Sequence, residues 1–294
     1  MARKRMFSVS GINIRVHKRG HSAENYSDLW KMFWAQRVSV RHANTALMIG
    51  DVRFENDENP ESPIYGYLYR FLDIGKDEPW FDIEQHKQAD PKDVGQISIP
   101  EKLKASLKEI PYFFDVKKHK LYFVRSEMTT GVSPWMVLKL IQHLGKAQVV
   151  VDKLGKVDAT ILTDQSRLDE LYSWQVIKTI EVSIERPNPT DYDDEQEVFR
   201  RMADRGVSEE KFGYKKAPEA DTIVPDDEIK AIVAIGADNG TVHAKGVEAT
   251  GKSVEISSKD IPRIERTQYD QNTTTLMDAF KAFVSEGFKR FRND

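Results

Sequence analysis

The chain has 294 residues, 39% of them hydrophobic and 31% charged, a formal net charge of −3 and no cysteine. These values predict a folded protein of one large or two medium domains with a densely ionic surface. They exclude disulfides, thiolate nucleophiles and sulfur-ligated zinc, and they confine any attraction for polyanions to local patches.

In chain order, Phe7, Val9, Ile12, Ile14 and Val16 predict an opening strand whose phase shifts near Gly11. A short helix follows, with Ser27 as its cap and Leu29, Trp30, Phe33 and Trp34 on one side. Arg37–Arg41, Ala46–Phe54 and Ile64–Ile74 read as strands, the last two joined by the acidic turn Glu55–Glu61. Gln96–Ile99 adds a short strand ending at Pro100.

The clearest hairpin spans Tyr112–Arg125, with arms Tyr112–Val116 and Leu121–Arg125 around the tip Lys117-Lys118-His119-Lys120. Ser133-Pro134 then opens a helix: serine caps, and proline takes the first helical position, where no N–H is needed. Val137, Leu140, Ile141 and Leu144 form its apolar stripe, and Gly145 closes it. Strands at Gln148–Val151 and Ala159–Leu162, a helix capped by Asp164 and a strand at Ile177–Ile184 complete the pattern. The order predicts an α+β fold, a mainly antiparallel sheet with helices on one face, over residues 1–206. Thr190 caps an acid-rich helix near its end.

Residues 207–225 are polar, contain Pro218 and Pro225, and read as a linker. Residues 226–294 then predict a smaller helix-hairpin-helix region: a helix at Asp227–Ile235, a turn at Asn239-Gly240, a hairpin, and a final helix at Thr275–Phe291. The hairpin contains Gly246-Val-Glu-Ala-Thr-Gly-Lys-Ser253, which fits the phosphate-binding pattern G-x-x-x-x-G-K-[ST]. Its context contradicts that function. Residues alternate with period two on both sides of Thr250-Gly251-Lys252, which predicts a hairpin tip rather than a strand-to-helix phosphate loop. The final helix bears an apolar face of Leu276, Phe280, Phe283, Val284 and Phe288, which could serve dimerisation or pack on its own hairpin.

The seven histidines are scattered, and no local metal motif or serine-nucleophile elbow occurs, so no catalytic residue, metal ligand or cofactor site can be assigned. Basic clusters remain. Lys117, Lys118 and Lys120 sit at a hairpin tip, and Lys289, Arg290 and Arg292 on the last helix; both are candidate contacts to phosphates.

Three segments also suggest kinship: Ile184-Glu-Arg-Pro-Asn-Pro189, Asp238-Asn-Gly-Thr-Val-His-Ala-Lys-Gly246 and Val254-Glu-Ile-Ser-Ser-Lys-Asp260. Together they resemble an uncharacterised family of bacterial and prophage-encoded proteins of about this length. More distantly, the order of elements is similar to that of the lambda phage exclusion protein RexA. The shared features are an aromatic hairpin (Ile110-Pro-Tyr-Phe-Phe114), a middle β-α-β region and a basic final helix (Phe288-Lys-Arg-Phe-Arg292). The resemblance implies a homodimeric, non-enzymatic, nucleic-acid-binding component of anti-phage defence, with DNA as the ligand and a neighbouring defence protein as a partner. A metal-dependent nuclease or toxin of an abortive-infection system, or a structural partner protein, are the alternatives. The absence of any uninterrupted apolar span predicts a cytoplasmic protein without direct membrane insertion.

Overall fold

A computed structural model describes residues 4–17, 22–74, 78–128, 130–185 and 196–287. The first strand, β1 (Lys4–Val16), is buried from Phe7 to Val16 because segments from across the chain fill both of its edges. Along one edge runs the sheet order β1, β6 (Lys120–Glu127), β5 (Ala105–Asp115), β4 (Ile64–Leu72), β3 (Thr45–Ile49) and β2 (Ser39–His42), each pair antiparallel. Two strands share the other edge. Val157–Ile161 (β7) pairs with Ile12–Val16, and Glu265–Asp270 (β12) pairs with Lys4–Val9. The register against β6 shifts between Ser8 and Val9, and the pairing runs unbroken through Gly11, where the sequence predicts the change of phase. Gly11 itself allows close packing, since a Cβ there would lie 2.6 Å from Leu162.

Helix α1 (Ala23–Gln36) starts five residues earlier than the sequence predicts, with Ser22 rather than Ser27 at its N-cap position. Tyr26, Leu29, Trp30 and Phe33 recur at helical spacing and are fully buried. The Trp30 ring stacks on Tyr112 with centroids 4.9 Å apart and 8° between planes. Helix α2 (Pro134–Gly145) begins where predicted, the Ser133 hydroxyl accepting from the Met136 N–H. That cap contributes about 1 kcal/mol. Gln148–Leu154 forms helix α3 instead of the expected strand; Val150 and Leu154, four residues apart, turn inward while Val149 stays exposed. Gln96–Ile99 forms no strand.

Helices cover both faces of this sheet, not one. Tyr112 and Phe114 of β5 meet Trp30 and Tyr26 of α1, whereas Phe113, between them, points the opposite way. On that opposite face, α6 (Leu276–Ser285) sets Lys281 over the Tyr65 ring, and Tyr65 pairs with Phe113. Phe280 and Val284 join the core of the first sheet, and Phe283 lies against Phe7. Of the described part of the face that could serve dimerisation, Phe280 and Val284 are thus buried within their own chain, and Leu276 and Phe283 partly so.

A second core is built on the four-stranded sheet β9–β8–β10–β11 (Glu209–Lys215, Val176–Glu185, Gly240–Val247, Ser253–Ser257). Helix α5 (Asp227–Asn239) packs on it, and Met202 of α4 (Gln196–Asp204) is buried in it. Residues 207–225, read as a linker, thus contain an edge strand. Residues 226–294 do not form a separate helix-hairpin-helix region. Their first helix and hairpin belong to the second sheet, and their last strand and helix to the first. Thr190 lies outside the described residues.

The two sheets meet across β1 through polar contacts. Asn13 donates to the Asp238 carbonyl at 3.3 Å, Thr163 donates to the Ala237 carbonyl at 3.0 Å, and the fully buried Arg15 binds the Glu185 carboxylate. Nearby, Asp158 lies 2.8 Å from His17 and 2.7 Å from Lys156. Burial alone would raise the Asp158 carboxyl, but these two partners outweigh it and hold it down to about 2.

Two outcomes follow for stability. Trp30→Ala removes a fully buried indole and is expected to cost about 3–5 kcal/mol, measured by urea unfolding. Asp158 is depressed, so its contribution is complete above the ordinary carboxylate value near 4 and is lost as pH falls through about 2. Asp158→Asn should therefore lower the thermal midpoint at neutral pH and narrow the gap to wild type as acid is added.

Candidate functional site

The predicted basic residues do not converge among the described residues. Lys117 lies at the hairpin tip, 3.2 Å from Glu61, and Lys118 is 3.9 Å from Asp115. Lys120 stands within β6 and is half-buried. His119, read as part of the tip, is buried and stacks on Tyr26 with centroids 4.4 Å apart. Lys289, Arg290 and Arg292 lie outside the described residues. The acidic turn Glu55–Glu61 lies between the tip and the last helix: its Glu61 holds Lys117, and its Glu55 holds Lys281 at 3.2 Å. Carboxylates are thus placed where a polyanion would have to run.

The phosphate-loop lookalike is a hairpin. Residues 243–247 pair antiparallel with 253–257, and Gly251 turns the chain with φ +81. Gly246 packs inside the sheet, where a Cβ would lie 2.3 Å from the Val176 carbonyl oxygen. No helix follows Lys252 to direct N–H groups at a phosphate.

A different cationic site forms at the other end of the first sheet. Its register places Arg70 of β4 directly opposite Lys108 of β5. On β6, Arg125 ends the run Leu121-Tyr-Phe-Val124, and the chain then reverses so that Thr130-Gly131 pairs back on Ser126 and Glu127. Gly131 is required for this approach, since a Cβ would lie 2.5 Å from the Arg125 carbonyl oxygen. The reversal delivers the chain to Ser133 and the N-terminus of α2.

The result is a cleft of about 390 Å3 lined by His42, Thr45, Arg70, Arg125, Ser126, Gly131, Val132, Ser133 and Met136. No aspartate or glutamate lines it. Arg70 donates to the Gly131 carbonyl at 2.6 Å, which fixes its guanidinium at the wall without neutralising it. Neither Arg125 nor Lys108 makes an ion pair among the described residues. Half-buried cations without counter-charges raise the local potential more than exposed ones, because less water screens them. The positive end of the α2 dipole adds to that potential. Trp135, in the first turn of the same helix, remains 43% exposed. An exposed indole is a surface on which a base can stack.

Another aromatic surface is less suitable. Tyr65, Tyr67 and Tyr69 alternate along β4, but burial, Asp51 and Glu109 raise the Tyr67 and Tyr69 hydroxyls, and the same carboxylates would repel a phosphate. Among the described residues, no group of three or more histidine, aspartate or glutamate side chains converges to hold a metal ion. No helix among them is long and apolar enough to cross a membrane.

A family model described as Domain of unknown function (DUF4747) matches residues 5–285. The chain belongs to that family. The DUF4747 match spans both sheets and the whole cleft, and it ends before Lys289, Arg290 and Arg292. No curated protein matches the chain.

Sequence reading missed the cleft because Arg70 and Arg125 are isolated cations 55 positions apart. The available signal was the pairing of cations at strand ends with the Gly131–Pro134 helix start. Two substitutions separate wall from ligand contact. Arg70→Ala is expected to cost about 1.5 kcal/mol by loss of its charge-assisted bond to Gly131. Arg125→Ala should shift stability by no more than about 0.5 kcal/mol. Chemical denaturation measures both.

Proposed function

We propose that this protein is a non-enzymatic nucleic-acid-binding protein whose phosphate contacts centre on the cleft of His42, Arg70 and Arg125. The observation that carries this reading is a concave cleft walled by Arg70 and Arg125 and lined by no carboxylate, in a chain whose net charge is −3. A surface negative overall gains no affinity from its global field, so such a concentration of positive charge supports a local polyanion contact. Guanidinium groups suit the phosphate because they donate two parallel hydrogen bonds to it. The setting we assign is anti-phage defence in the cytoplasm, in concert with a neighbouring defence protein. That setting rests on the similarity of element order to the phage exclusion protein.

Fluorescence anisotropy with a labelled DNA duplex across a salt series tests the reading. Affinity should fall as salt rises, with a slope of roughly 0.9 per phosphate contact on logarithmic axes. Arg125→Ala should weaken binding several-fold and reduce that slope by about 1, whereas Lys117→Ala/Lys118→Ala should leave both nearly unchanged. An absence of binding at low salt, or equal effects of all these substitutions, would defeat the assignment.

A further inference from the structure

The cleft of Arg70 and Arg125 holds more positive charge and more free donors than a phosphate inside a strand can answer. The Arg125 guanidinium has no partner among the described residues. Arg70 spends one N–H on the Gly131 carbonyl and keeps the others. Lys108, directly opposite Arg70 in the register, is a further cation on that wall without a counter-charge among the described residues. The hydroxyls differ in what they have left. Thr45 donates to the His42 carbonyl and Ser126 is joined to Ser8, whereas Ser133 accepts from the Met136 N–H and retains its own proton.

The positive field is also confined. Beside His42, Arg41 is held by Glu78 at 2.5 Å, so the wall meets a carboxylate on the β2 side. Val132 and Met136, both buried, add apolar wall and no further anchor. The volume of about 390 Å3 lies near the small end of ligand sites, which run from roughly 300 to 1,000 Å3. That space suits one phosphate with its sugar. A run of backbone needs cations spaced along a groove instead.

We infer that the cleft takes the terminal phosphate of a nucleic-acid strand rather than phosphates within it. The inference rests on the reading of this cleft as the phosphate contact. A phosphate inside a strand offers two free oxygens and a single charge. A terminal phosphomonoester offers three and carries about −1.5 to −2 at neutral pH. It therefore answers two guanidinium forks together, each matched to a pair of phosphate oxygens. A diester would leave one half-buried guanidinium without a counter-charge, where little water is at hand to screen it.

Fluorescence anisotropy of the full chain with a short, internally labelled single strand tests this. One sequence is prepared with a 5′-phosphate, with a 3′-phosphate, or with hydroxyls at both ends. A phosphorylated end should bind roughly tenfold or more tightly than the hydroxyl strand, and the preferred end fixes the polarity. Arg125→Ala should abolish that preference, and Lys117→Ala/Lys118→Ala should leave it intact. If Arg125→Ala fails to fold, Arg125→Lys replaces it; the lysine keeps the charge, loses the fork, and should reduce the preference several-fold. Equal affinity for all three strands overturns the terminal-phosphate assignment and leaves the nucleic-acid reading standing, whereas failure to bind any of them overturns both. A preference that survives the Arg125 variants also overturns it. So does competition by the mononucleotide of the terminal base at the affinity of the phosphorylated strand, because the ligand is then the free nucleotide.

Discussion

The structure depends on the saturation of one strand. Lys4–Val16 carries β6 along one edge and divides its other edge between β7 and β12. Helix α6 lies against Phe7, and the second sheet against Asn13 and Arg15. A strand buried in this way has no solvent to satisfy its backbone, so every N–H and C=O must find a protein partner. This need ties distant parts of the chain together. It also explains why the strand holds Ser8, Ser10, Asn13 and Arg15 among its aliphatic residues: Ser8 meets the Ser126 hydroxyl, Ser10 donates to the Arg263 carbonyl, and Asn13 and Arg15 reach the Asp238 carbonyl and the Glu185 carboxylate.

Local chemistry was legible wherever it determined the conformation alone. Ser133-Pro134 marks a helix start in any context, because a hydroxyl acceptor and a preset φ suit the first turn. The hairpin of Tyr112–Arg125 showed as two apolar arms around a basic tip, and the hairpin after α5 as period-two alternation that overruled a complete phosphate-loop pattern. Tertiary context decided the remainder. Val149-Val150-Val151 favours a strand by propensity, yet the segment is a helix that buries Val150 and Leu154 against the first core. Glu209–Lys215 looked like a linker because its sheet-facing residues, Phe212 and Tyr214, alternate with charges, as an edge strand permits. The distribution of residues 226–287 between the two sheets was hidden for the same reason. The last strand belongs beside the first, and nothing local in Glu265–Asp270 says so.

Charge was harder still to read. A run such as Lys117-Lys118-His119-Lys120 is conspicuous in sequence, but its neighbours in space are Glu61, Asp115 and Tyr26, which compensate or bury it. Arg70 and Arg125 are inconspicuous and acquire significance from strand register, which sets them on one wall with no carboxylate between them. Clustering along the chain and clustering in space were opposite guides to electrostatic potential in this molecule.

The split edge of β1 has a consequence for biosynthesis. The amino-terminal strand leaves the ribosome about 250 residues before Glu265–Asp270 is made, a delay of roughly 12 to 50 s at ordinary elongation rates. Throughout that interval the nascent chain presents half an unpaired β edge, a template for wrong pairing with other polypeptides. Lys4 and Arg5, at the start of that stretch, are the kind of charged residues that discourage such encounters until translation finishes.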